Sequence, residues 1–273
     1  MRKREGRTDD VLDGSPVVEP DRRAGVSASV ALARRAREGA YRTRYLINAY
    51  PFVYAPLARV RHRDRDDWSV RRDTELAIEG FGRSGSTFAV DAFEFAQSKP
   101  VRLAHHTHAA AQVIVAVRWQ IPTMLIVRHP GHVVPSHMAR RDIGPRPPLV
   151  AWIRFHERVL PYRDGLVVTP FEEMTTDLGS VIRRVNQRFG TDFGVFENNP
   201  ESEAAVFDRI EARNRRRFGV GSPEGERSLA RPTAEREARK QVLRAAYEAP
   251  GLTSLRARAE RVYRSLVPAT TGS

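Results

Sequence analysis

The sequence predicts an α/β fold: three layers, with a parallel sheet flanked by helices and helical extensions at both ends. Three observations predict it. Between residues 75 and 190, short apolar stretches alternate with amphipathic ones, the pattern of strands joined by crossover helices. The first apolar stretch runs straight into a glycine-rich turn, Gly80-Phe81-Gly82-Arg83-Ser84-Gly85. A length of 273 residues with 41% hydrophobic residues suits one large core and argues against wholesale disorder.

The elements are expected in this order. Residues 1–26 read as a flexible polar tail without sustained periodicity. Residues 27–72 form an N-terminal helix, to about residue 49, and a linker. The segment from Tyr50 to Leu57 is aromatic and carries Pro51 and Pro56, so it reads as an irregular piece packed on the core, with an acceptor or membrane-surface contact as the alternative. Residues 59–72 are a charged linker holding His62 and Trp68. The domain proper spans 73–273. Its strands are expected at 75–80, 101–106, 122–128 and 165–169. Helices are expected at 86–97, 109–119, 132–140, 148–160 and 172–189, the last closed by Gly190 as a C-terminal glycine. Residues 200–273 read as a helical part, with amphipathic helices at 227–247 and 255–266.

Composition narrows the function. Lys+Arg total 46 and Asp+Glu 33, a net charge of +13, and 43 of the basic residues are arginine. The excess points to an anionic partner: nucleic acid, a lipid surface or a phosphorylated small molecule. The absence of cysteine excludes disulfides, thiolate metal sites and cysteine nucleophiles. No run reaches the roughly 18–20 apolar residues of a membrane span. The charged start lacks a signal-peptide core, so a cytoplasmic location is expected.

The glycine-rich turn carries the chemistry. A strand-to-helix turn of this kind exposes backbone N–H groups at a helix N-terminus, a ready anion site. Read as a P-loop, G-x-x-x-x-G-K-[ST], residues 80–87 fit everywhere except at the lysine, where Ser86 stands. That lysine reaches the β- and γ-phosphates in P-loop NTPases, so its loss argues against an ATPase or GTPase. Arg83 offers a cation close by. The plain alternative is an ordinary glycine-rich turn.

These residues resemble the PAPS-dependent sulfotransferases, whose first strand ends in a loop of the type P-[KR]-S-G-[TS]-T. The chain has Gly82-Arg83-Ser84-Gly85-Ser86-Thr87, with glycine replacing the proline. The family's third strand ends in R-x-P-x5-S, matched by Arg128, Pro130 and Ser136. The resemblance covers about residues 75–190. It implies a P-loop-like sheet and 3′-phosphoadenosine 5′-phosphosulfate as co-substrate. Arg83, Ser84, Gly85, Ser86 and Thr87 would hold the 5′-phosphosulfate, and Arg128 and Ser136 the 3′-phosphate. A softer match places Glu172 and Glu173 where the family has an acidic segment, although both also suit a helix N-terminus. The family's late donor-covering loop has only a loose counterpart in Arg215-Arg216-Arg217-Phe218-Gly219-Val220-Gly221, with Arg217 as the candidate contact.

Sulfuryl transfer needs in-line geometry, charge stabilisation on the leaving oxygen and a base for the acceptor proton. Six of the eight histidines lie between His105 and His137. The resemblance to a K-T-H segment makes His108 the first choice as base. His106, on the same face if the strand continues, is the second. Carbohydrate sulfotransferases imply a rival carboxylate at Asp91, whose plain reading is a solvent-facing or salt-bridged helix position. A metal held by His106 and His108, with His132 and His137, is a minor reading; no metal is required, because arginine supplies the positive charge. The acceptor is expected to be a hydroxyl or amine of a glycan, lipid or small molecule, with a glycan or glycolipid favoured by the family. No nucleic-acid motif appears, so specific nucleic-acid binding is not expected. Peripheral contact with an anionic membrane is compatible with the charge. Two other classes compete: an anionic-surface or nucleic-acid binder with a degenerate phosphate loop, and a kinase-like phosphotransferase.

Overall fold

The apolar stretches in the middle of the chain pair as one parallel sheet. A computed structural model of the chain describes residues 22–61, 68–219, 222 and 234–267. Most of the expected tail, His62, Val220, Gly221 and the start of the 227–247 helix lie outside the described residues. Strands β1 (Leu76–Gly80), β2 (Leu103–His105), β3 (Thr123–Val127) and β4 (Val167–Pro170) stand in the order β2-β1-β3-β4, and every pair is parallel. Ile78 lies opposite His105 on one side and Met124 on the other. Every residue of β1, β2 and β3 is buried, as parallel strands covered on both faces require.

Two helical layers cover the sheet. On one face Leu76, Ile78, Met124 and Ile126 share a core with α3 (Ser86–Ala96), α8 (Leu178–Phe189) and α9 (Pro200–Phe218), through residues such as Phe93, Ile182 and Ile210. On the other face Leu125 and Val127 meet α4 (Ala110–Arg118), α5 (Pro130–Arg141) and α6 (Arg146–Val159), through Val113, Val134 and Trp152. Two C-terminal helices, α10 (Ala234–Glu248) and α11 (Thr253–Leu266), close this second layer by packing on α5 and α6. The long N-terminal helix α1 (Arg22–Ile47) belongs to the same core through Tyr41 and Tyr45.

Three local readings change. The helix α1 begins at Arg22, so residues 22–26 are not tail. The proline-bearing segment is a helix, α2 (Pro51–Arg61). Pro51 occupies its first position, where no N–H is needed. Pro56 stands on an exposed turn, where water can take the carbonyl it leaves unbonded. The expected helix 172–189 is two: α7 (Phe171–Thr176) and α8. The break is at Asp177, whose side chain accepts from Ser180 N at 3.0 Å and caps α8. Gly190 ends α8 with φ 65°, as expected of a C-terminal glycine.

Candidate functional site

The carboxyl ends of β1, β2 and β3 meet at one edge, and the glycine-rich loop turns there. Arg83 (φ 69°) and Gly85 (φ 83°) both take left-handed backbone, which tightens the turn into α3. A Cβ at Gly85 would stand 2.7 Å from the Met174 methyl and 2.9 Å from the Phe171 ring, so one of them would have to shift. As N-cap of α3 it brings no side-chain cap, so the first-turn amides around Ser86 and Thr87 face the cleft without an intrahelical acceptor.

The two sequence elements converge on this loop. Arg83 Nε donates to Ser136 Oγ at 2.9 Å, and Arg128 Nη1 donates to the Arg83 carbonyl at 3.1 Å. Arg128 is oriented further by Phe171, whose ring centre lies 3.8 Å from its guanidinium carbon. Its carbonyl accepts from Trp152 Nε1 at 3.1 Å. Arg83, Gly85, Ser86, Thr87 and Arg128 line a cleft of about 2120 Å³. This exceeds the ~300–1,000 Å³ of a pocket for one small ligand, so there is room for two reactants. Among the described lining residues, eight are arginine or lysine and two are glutamate.

Two expected contacts stand elsewhere. Ser84 is fully buried, its N–H donates to the Phe81 carbonyl at 3.2 Å, and its hydroxyl has no hydrogen-bond partner among the described residues. Its side chain turns into the core instead of the cleft. Ser136 is 3% exposed and lies behind Arg83, holding that arginine.

The histidine segment departs from strand geometry. The strand β2 ends at His105, and His106 (φ 60°) and His108 (φ 52°) are left-handed, so pleat alternation does not govern them. Glu79, the fourth residue of β1, holds this turn. Its Oε1 accepts from Thr107 N at 3.0 Å, Thr107 Oγ1 at 2.7 Å and Gln112 Nε2 at 3.0 Å; its Oε2 accepts from His108 N at 3.1 Å. These donors favour its charged form, but burial outweighs them and pushes its pKa up to about 7.

The two candidate bases then differ. His108 Nδ1 lies 2.9 Å from the Gly80 carbonyl. A carbonyl can only accept, so Nδ1 carries the proton and Nε2 carries the lone pair. Burial lowers the pKa of His108 to about 4, which keeps the ring neutral. His106 has both nitrogens engaged: Nε2 with Thr87 Oγ1 at 3.2 Å, and Nδ1 with the neighbouring His105. Trp68 stacks on its ring at 6.0 Å. Burial, then His105, hold its pKa well below the usual value.

The remaining candidates are placed by α9. Asp91 is 0% exposed and does not line the cleft. Arg213 donates to both of its oxygens, at 2.6 Å each, so the salt-bridged reading of this position is the one observed. Glu94, one turn on, accepts from Arg209 at 2.8 Å. These pairs lay α9 beside the cleft and bring Arg213, Asn214 and Arg217 into its wall. The histidines offered for a metal are used otherwise. His137 Nε2 donates to the Gly82 carbonyl at 2.9 Å while Nδ1 meets Tyr41 Oη at 3.3 Å, and His132 Nδ1 meets Arg244. Among the described residues, no three His, Asp or Glu side chains gather as a metal-ligand set.

Sequence reasoning missed Glu79, Gln112 and Arg213, and offered His137 only as a metal ligand. Only Glu79 left a signal, an acid inside a five-residue buried strand next to the loop.

No family model matches the chain, and no curated protein matches it in sequence. Among solved structures it is similar to a mouse sulfotransferase, SULT7A1, complexed with PAP. The two share 14% identity over 72% of this chain and 91% of that one, with a TM-score of 0.39.

Proposed function

We propose that the chain moves a sulfuryl group from 3′-phosphoadenosine 5′-phosphosulfate to a hydroxyl or amine of an acceptor, with a glycan or glycolipid favoured. The observation that carries this reading is the meeting of Arg83 and Arg128 on the Gly82–Thr87 loop, with His108 lining the same cleft. In this mechanism the acceptor oxygen attacks sulfur, and its proton passes to His108 Nε2. The bond from sulfur to the 5′-phosphate oxygen breaks in line. Arg83 and the first-turn amides of α3 stabilise the charge left on that oxygen. Arg128 and Arg217 hold the 3′-phosphate, and Ser136 fixes Arg83. Neither Asp91 nor His106 is needed as base, because Arg213 saturates the first and two partners occupy the second. The charge-balancing role falls to arginine, so the proposed chemistry uses no metal. Among the described residues no helix is long and apolar enough to cross a membrane; the proposed location is the cytoplasm.

Calorimetric titration with adenosine 3′,5′-bisphosphate tests the donor site, and transfer of labelled sulfate to an acceptor panel tests the reaction. Binding of the bisphosphate in preference to ATP is expected. Steeply salt-dependent affinity for duplex DNA without bisphosphate binding would overturn the proposal, as would magnesium-dependent turnover of ATP.

A further inference from the structure

The helix α2 turns a row of apolar side chains outward. Tyr54 and Ala58 pack inward on Ala109 and Ala111 of the α4 end. The opposite side presents Phe52 at 88% exposure, Val53 at 48%, Leu57 at 50% and Val60 at 78%, with Pro56 exposed among them. At 100° per residue these five positions share an arc of about 140°. A patch of neighbouring large apolar side chains marks a contact surface, unlike single scattered ones.

The surroundings say what that contact is. Residues 22–61 carry nine arginines and one glutamate, and on α1 Arg34, Arg35, Arg37 and Arg42 are exposed. Arg158 adds a cation at the corner, 4.6 Å above the Tyr50 ring. A second copy of the chain would set this cationic surface against itself. An anionic bilayer complements both features, because the apolar face enters the acyl boundary while arginines meet the headgroups. Leu57 and Val60 also line the cleft, so the surface that docks is continuous with the mouth of the site.

We infer that α2 is an interfacial anchor that seats the chain on an anionic lipid surface with the cleft opening at the headgroup layer. The inference does not depend on the transfer chemistry. Its test is sedimentation of the full chain with vesicles of phosphatidylcholine, alone or mixed with phosphatidylglycerol. Binding to the mixed vesicles is expected at least about tenfold tighter than to the neutral ones, and weaker as salt rises. Phe52→Asp and Val53→Asp lie outside the cleft lining. Each should lower vesicle binding by about tenfold or more, with melting temperature and bisphosphate affinity unchanged. Equal binding by these variants, or no binding by the parent chain, overturns the anchor. So does self-association of the parent chain, abolished by the same substitutions, in place of vesicle binding. Bisphosphate titration of each variant separates failure of the anchor from failure of the donor site.

Discussion

The cleft has two unlike walls. The wall made by the sheet edge is built from groups fixed by short hydrogen bonds, most of them to backbone. His108 is held on the Gly80 carbonyl, His137 on the Gly82 carbonyl, and Glu79 gathers the Thr107 and His108 amides. The opposite wall, α9, is built from ion pairs whose arginines are 42% and 47% exposed. The first is set by short contacts in a buried layer, where each proton has one place to be. The second is a charged helix clamped to α3 through Asp91 and Glu94, and it answers to salt and charge substitution. In the proposed reaction the sheet edge supplies the reactive geometry and α9 an adjustable anion-holding surface.

The largest expected effect falls on the sheet-edge wall. His108→Ala should lower transfer by about a thousandfold, within the range of general base catalysis, and leave bisphosphate affinity within a few-fold. Rates measured with labelled donor check it. Turnover retained in that variant would move the base to His106 or Asp91 and erase the contrast between the walls. Because burial lowers the pKa of His108 to about 4, the acid limb it sets should fall near pH 4 instead of 6.5.

The α9 wall breaks differently. Arg213→Ala leaves the fully buried Asp91 carboxylate with only the Arg209 guanidinium, at 3.7 Å. The expected loss is about 3 kcal/mol of stability, the low end for a broken buried pair because water reaches Arg213. Denaturant unfolding measures it. Adding Asp91→Asn should restore part of the loss, and a double-mutant cycle that finds the two sites additive would show that the clamp is absent.

Glu79 sharpens the same contrast through pH. Its folded pKa is raised to about 7 from 4.5, so the folded state holds the proton more tightly than the unfolded chain. Stability linked to this group is complete below about pH 4.5 and is lost as pH rises through about 7. The expected decline between pH 5 and 8 is about 2 kcal/mol. Glu79→Gln removes that slope while losing a carboxylate acceptor for the His108 N–H. Thermal melts of both proteins at the two pH values check the sign; a parent slope that persists in the variant would place its source elsewhere.

Legibility in the sequence follows the range of the contacts. The strand, loop and helix from Leu76 to Ala96 are contiguous, and the turn carries its own glycines, so Arg83 and the loop could be read locally. Arg128 and Ser136 lie eight residues apart at the end of a clear apolar strand. Glu79 could not be read as an organiser, because the groups it holds are 28 to 33 residues away. Asp91 read as a competitor for the base because Arg213 lies 122 residues on. The α2 prolines looked like breakers because nothing local tells which turn will face water. The split at Asp177 was missed although its signal, a capping residue three before Ser180, is local.

The smallest expected effect tests whether the arginines of the sheet edge act by shape as well as charge. Arg128 donates one N–H to the Arg83 carbonyl and lays its planar group on the Phe171 ring. A lysine at that position keeps the charge but has no flat face to stack and no second donor in fixed geometry. Arg128→Lys should therefore weaken bisphosphate binding by about tenfold, while Arg128→Ala weakens it more. On α9, Arg217 is an exposed helix-end residue lining the cleft, where a mobile point charge serves nearly as well, so Arg217→Lys should change affinity by about twofold or less. Equal losses at the two positions would mean that both walls hold the anion by charge alone, and the distinction between a fixed and an adjustable wall would not extend to the donor.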